Sequence, residues 1–153
     1  MFYWTDLNLE RNVDDQRIVR ALAKAFGVTP HAVAVVGVND DALTTWDRHG
    51  LQIFAQRDNL DRGGEEFPVT LMITLRREDD VERPLDKVRA IATELGVAMV
   101  TDVETEGDCW RLVMPDGHDR LVVNGEAAES RGELALRQAD REALERHRAA
   151  HVA

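Results

Sequence analysis

The chain is short of several residue types, and each shortage closes a route. A single cysteine, Cys109, stands among 153 residues, so neither an internal disulfide nor a cysteine-built zinc site is available. A single serine, Ser130, occurs in the whole sequence. No Gly-x-Ser-x-Gly elbow exists, and serine nucleophile chemistry is confined to one helix-capping position. Basic residues are outnumbered by acidic ones, 19 against 29, for a formal net charge of −10. A binder of phosphate backbones needs the opposite balance, so no nucleic-acid partner is expected. No apolar run approaches the roughly 20 residues of a membrane span, and no membrane partner is expected either. The start, Met1-Phe2-Tyr3-Trp4-Thr5-Asp6, has neither the cationic end nor the apolar run of a secretory leader, which makes a cytoplasmic location the expectation.

What is present suffices for a packed interior. The chain is 44% apolar and 31% charged, the balance of one ordinary domain or of two small modules sharing a core. Helical spacing of Ile18, Leu22 and Ala25/Phe26, with acids at the start and Gly27 as a stop, predicts a helix from Asp14 to Phe26. Leu85, Val88, Ile91/Ala92 and Leu95, opened by Pro84 and closed by Gly96, predict a second from Pro84 to Leu95. A third, from Glu133 to Ala149, follows the capping pattern Ser130-Arg131-Gly132-Glu133. Its apolar stripe is thin, so it reads as a solvated helix that docks lightly or as a partner-binding arm. Strands are predicted at Phe2–Leu9, Ala32–Val38, Leu43–Trp46, Leu51–Ala55, Val69–Leu75, Val97–Val103, Cys109–Met114 and Leu121–Val123. Turns follow at Asp47-Arg48-His49-Gly50 and Pro115-Asp116-Gly117, and Gly63-Gly64 marks the best linker.

An internal echo organises these elements. Val19 to Val28 and Val88 to Val97, offset by 69 positions, are identical at six of ten. At the same offset Thr5 falls on Thr74, Leu43 on Leu112, Asp47 on Asp116 and His49 on His118. Each half then reads strand–helix–strand–strand–strand. The expected fold class is α+β, with tandem βαβββ modules forming a mostly antiparallel curved sheet, helices on its outer face, and a C-terminal helix. The expected division is 1–56 for the first module, 57–66 for the linker, 67–126 for the second module and 127–153 for the C-terminal arm. A trough between the two modules is the natural concave site.

The module order, and the stretch Cys109-Trp110-Arg111-Leu112-Val113-Met114-Pro115-Asp116-Gly117-His118 leading into Leu121-Val122-Val123, resemble the vicinal oxygen chelate superfamily. That superfamily includes glyoxalases, extradiol dioxygenases and bleomycin-resistance-type binding proteins. The resemblance covers about 67–126, and 2–56 through module order alone. Metal-dependent members carry His, Glu or Gln ligands on the first and last strands of each module. Here those first strands hold no histidine, Leu121 stands where the family has glutamate, and its counterpart is Gln52. The resemblance therefore implies a member of the binding type, with no metal and no cofactor.

The residues left for a site are few. Trp4, Trp46 and Trp110 lie on or beside predicted strands and, if they face the trough, offer stacking and cation–π surfaces. Gln52 and Thr74 join them as candidate lining; the alternative for the tryptophans is core packing beneath the helices. Asp47-x-His49 and Asp116-x-His118 read as turn residues or as matched acid–base pairs, while His31, His147 and His151 read as surface residues. Alternation of Asp102, Glu104 and Glu106 would set three carboxylates on one face if the strand runs that far. Cys109 reads as a structural strand residue. Three functions compete. The first is non-catalytic binding of a small cationic or aromatic ligand. The second is an acidic protein-binding module for a basic partner, such as an inhibitor, an immunity protein or a secretion chaperone. The third is a metal-dependent lyase or dioxygenase, against which the missing ligands count. Modules of this type pair within one chain or between two, so a homodimer stays open.

Overall fold

The computed structural model describes residues 2–38, 50–59, 66–77, 81–105, 107, 109–123 and 136–150. Over these residues the protein is α+β, with a seven-stranded, mostly antiparallel open sheet and three α-helices, the last of them C-terminal. The elements run β1 (Phe2–Leu9), α1 (Asp15–Phe26), β2 (Val33–Gly37), β3 (Ile53–Asn59), β4 (Val69–Leu75), α2 (Pro84–Leu95), β5 (Met99–Thr101), β6 (Cys109–Val113), β7 (Asp119–Val123) and α3 (Gln138–Ala150). The expected strand at Leu43–Trp46 and the turn after it lie outside the described residues. No helix among the described residues is long and apolar enough to cross a membrane.

The two echoing helices form where their apolar spacing puts them, and they end alike. Asp14 caps α1 by accepting the Arg17 backbone N–H at 3.0 Å. Gly27 and Gly96 then both take φ +67° as left-handed C-caps, a conformation that costs an L side chain about 1 kcal/mol or more. The last turn of α2 has no cation of its own and carries Glu94, the wrong charge for a helix C-terminus. Neighbours supply what is missing. Arg17 donates to Leu95 O at 2.7 Å, Arg11 donates to Gly96 O at 3.0 Å, and Lys24 pairs with Glu94 at 3.0 Å.

The sheet order is β2-β3-β4-β1-β5-β6-β7. β1 pairs antiparallel with β4 along its length and with β5 at its end, while β3 pairs antiparallel with β4. Strands of the two halves are thus interleaved, in a split β–α–β arrangement. The halves meet through the backbone hydrogen bonds of β1 with β4. Beyond the shared β–α–β the halves diverge. In the second, β5, β6 and β7 continue as an antiparallel meander. In the first, β3 inserts between β2 and β4 and runs parallel to β2. Arg57, Asp58 and Asn59, expected in the linker, are the end of β3.

Alternation along the strands divides the core between two faces. Leu7, Leu9, Leu71, Ile73 and Leu75 point to one face, where Ile18, Leu22, Val88, Ile91 and Leu95 of α1 and α2 cover them. On the other face Val100, Leu112 and Val122 meet Leu136 and Leu144, so α3 covers the β5–β7 end of the sheet. Over β3, β4 and β1 the same face carries the half-buried Gln56, Met72, Asp6 and Asn8. β5 stops at Thr101 because side chains close a turn after it. Thr101 Oγ1 accepts Val103 N–H at 3.4 Å, and Thr105 Oγ1 donates to Asp102 O at 3.0 Å. Glu104 takes φ +52° in that turn, so Asp102 and Glu104 do not form the expected strand-face row of carboxylates.

Candidate functional site

The expected ligand residues do not converge. Trp4 sits at the irregularity between Tyr3 and Thr5 in β1 and packs edge-on against Phe26 of α1, with centroids 5.3 Å apart. It belongs to the helix-covered face. Trp110 packs with Leu112 and Val122 on the opposite face. Thr74 shares that opposite face with Phe54 and Tyr3, its direct neighbours on β3 and β1. Gln52 lies one step before β3, where its backbone N–H donates to Ala32 O and its carbonyl accepts from Arg76. Gln52 and Thr74 are therefore close, but β6 is three strand spacings from β4, about 14 Å. Trp46, like Asp47 and His49, lies outside the described residues.

A concavity does exist, at the end of the molecule where α3 meets the sheet. It has a volume of about 630 Å³, within the range of small-molecule sites. Four pieces of chain build it: Glu10 and Arg11 after β1, Gly96 closing α2, the Met114-Pro115-Asp116 turn, and His147 with Arg148 on α3. The turn forms as Pro115 and Gly117 predict. Gly117 takes φ +88°, its N–H donates to Met114 O, and Met114 N–H donates to His118 O at 2.8 Å. Asp116 uses Oδ1 to accept the His118 backbone N–H at 2.9 Å, the local bond that favours Asp in a turn. Its other oxygen, Oδ2, lies 2.7 Å from His147 Nε2. The His147 ring in turn stacks on His118, with centroids 4.4 Å apart and planes 17° from parallel. Glu10 divides its carboxylate in the same way: Oε1 accepts Ala98 N–H at 3.1 Å and Oε2 pairs with Arg148.

α3 reaches this position through a mostly polar docking face. Asp140, Leu144 and His147 recur at i, i+4 and i+7 on one side of the helix. Asp140 is fully buried and accepts from Arg120 (3.0 Å), Arg137 (3.2 Å) and the Val123 backbone N–H (3.3 Å). Glu66 holds the start of the helix by pairing with Arg141 and accepting Leu136 N–H at 3.1 Å. Sequence reasoning singled out Asp116 and His118 but set His147 aside as a surface residue. The signal that would have found it is its helical phase with Leu144.

Two further clusters lie apart from the cavity. Asp119 sits between Arg89 of α2 (Nε, 3.0 Å) and Arg111 of β6 (Nη1, 2.7 Å). Burial pushes its carboxyl up, but the two guanidinium groups outweigh that and hold it below the usual carboxylate range. Tyr3, 53% exposed, donates its phenol O–H to Asp6 at 2.8 Å. Partial burial, that bond, and the charges of Asp6 and Asp102 all raise the phenol, so it stays protonated in water near neutrality.

Chemically, Asp116 and His147 form an oriented carboxylate–imidazole pair, able to take or give a proton. No thiol accompanies it, since Cys109 is at the opposite end of β6 from the turn. Among the described residues no group of three or more His, Cys, Asp or Glu is placed to hold a metal ion. No family model, curated protein or solved structure matches this chain.

Proposed function

We propose that the protein is a non-catalytic binder of a small cationic ligand with an apolar or flat body. The binding place is the cavity beneath the end of α3, rather than a trough between modules. A single observation carries this reading: the 630 Å³ cavity, with Met114 and Pro115 as its wall and Arg11 at its rim, sets two carboxylates, Glu10 and Asp116, that each already hold a nitrogen group, Arg148 and His147. Carboxylates supply charge and direction, while the thioether and the proline ring supply contact area for the ligand body. The net charge of −10 adds a long-range attraction for cations at low salt.

Thermal unfolding against a panel of cationic aromatic amines at low salt tests it. A ligand that binds only the folded protein stabilises it by mass action, by about 2.7 kcal/mol at a hundredfold excess over Kd, and so raises the midpoint. The same compounds should have no effect on Glu10→Gln/Asp116→Asn. A panel in which no cation shifts the wild-type midpoint would refute the reading, and so would a shift that survives the double substitution.

A further inference from the structure

We infer that the cavity selects planar nitrogen cations, guanidinium above all, and that the end of α3 is a tethered occupant which such a ligand displaces. The inference rests on the proposed binding role of the cavity. Its basis is the identity of the groups already seated on the two carboxylates. Glu10 is met by the Arg148 guanidinium, and Asp116 by the His147 imidazole at 2.7 Å. Both are planar and carry N–H donors, and both come from the last turns of one helix. Guanidinium matches a carboxylate with parallel N–H donors, which a spherical ammonium cannot do.

The way α3 is held makes its end the part that yields. Leu136 just before the helix, with Asp140 and Leu144 within it, anchors its first half in buried positions. Beyond Leu144 the helix end meets the body through His147, which bonds Asp116 and stacks on His118, and through Arg148 on Glu10, a pair whose side chains are 46% and 21% exposed. An ion pair as exposed as Arg148–Glu10 typically shifts an equilibrium by about fivefold or less. A ligand presenting its own guanidinium to Glu10 replaces an equivalent contact, and the released Arg148 regains water. Apparent affinity is then reduced by the fraction of time the helix end occupies the site, a reduction that disappears when the tethered competitor is removed.

The test uses the full chain with agmatine as the guanidinium probe and tetramethylammonium as a cation without N–H donors. Calorimetric titration at low salt should give weak agmatine binding to the wild type. Binding should tighten by about threefold to fivefold in Arg148→Ala, be lost in Glu10→Gln, and be absent for tetramethylammonium throughout. Hydrogen exchange on the wild type provides a readout that needs no variant: agmatine should speed exchange in the last turn of α3 and leave Leu136 to Leu144 unchanged. Agmatine binding that requires Glu10 but neither tightens in Arg148→Ala nor loosens the helix end would overturn the tethered occupant and leave the cavity reading intact. Equal binding of the two cations would overturn the guanidinium preference. Binding of agmatine to none of the proteins would overturn both the inference and its preference for this ligand class, and the amine panel above would then decide the cavity reading separately.

Discussion

Asp119 illustrates how one side chain ties two layers of this protein together. It is largely buried, and its partners come from α2 and β6, so its charge is exchanged between water and two fixed guanidinium groups on folding. The pH consequence follows from the direction of the shift. A carboxyl held lower in the folded state than in the unfolded chain contributes stability that is fully present above the unfolded value. That contribution fades as pH falls through the folded value. Asp119→Asn should therefore lower unfolding stability at pH 7 by about 1–3 kcal/mol, since Arg111 is left largely buried with a weakened partner. The difference between wild type and variant should shrink progressively below about pH 4. Urea unfolding of both proteins at pH 7 and pH 3 checks this; a constant difference across that range would disprove it.

At the scale of the element, the contrast between α2 and α3 shows two ways of holding a helix. α2 is placed by an apolar stripe that the core accepts whole, with its C-terminal carbonyls satisfied by Arg11 and Arg17 from elsewhere. α3 has a polar composition and buries Leu144 and Asp140, with Leu136 just before it. Its docking therefore depends on Asp140, which satisfies Arg120, Arg137 and the Val123 N–H at once. Arg120 and Arg137 are 41% and 52% exposed and can turn to water, so removing Asp140 costs chiefly the helix's tie to the sheet and the Val123 N–H bond, about 1–3 kcal/mol. Asp140→Ala should release α3 while α1, α2 and the sheet remain folded. The measurement is hydrogen exchange over 138–150, which should approach the unfolded rate while residues 84–95 stay protected. Protection of α3 that survives the substitution would show that the apolar contacts alone hold it.

Over the whole molecule, stability should follow the interleaving of the halves. β1 and β4 are flanked by paired strands on both sides, and their Leu and Ile side chains lie under α1 and α2. The elements that open last in native-state exchange are those with the most buried apolar contact and the fewest exposed hydrogen bonds. Amides of Leu7, Leu9, Leu71 and Ile73 should thus exchange slowest and report global unfolding, with β7 and α3 opening earlier. If residues of β1 and β7 separated into independently opening halves, the interleaved core would not be the cooperative unit. The cavity lies at one end of the sheet because α3 covers the β5–β7 end and its last residues reach the turn after β6.

Local sequence signals were enough to place most elements. Apolar spacing, Asp14, Pro84, Gly27 and Gly96 delimit α1 and α2, and alternation delimits β1 and β4, because these features act over a few residues and need no knowledge of the partner. The Pro115-Asp116-Gly117 turn was legible for the same reason. The strand order was not. The echo of one half in the other leaves side-by-side and interleaved halves equally compatible with the pattern, and only long-range backbone pairing chooses between them. The fate of the tryptophans was decided in the same way: Trp4 and Trp110 face opposite sides because an irregularity at Trp4 resets the alternation of β1. His147 joined Asp116 and His118 only when α3 docked, since residues 31 positions apart acquire a common environment through tertiary packing alone.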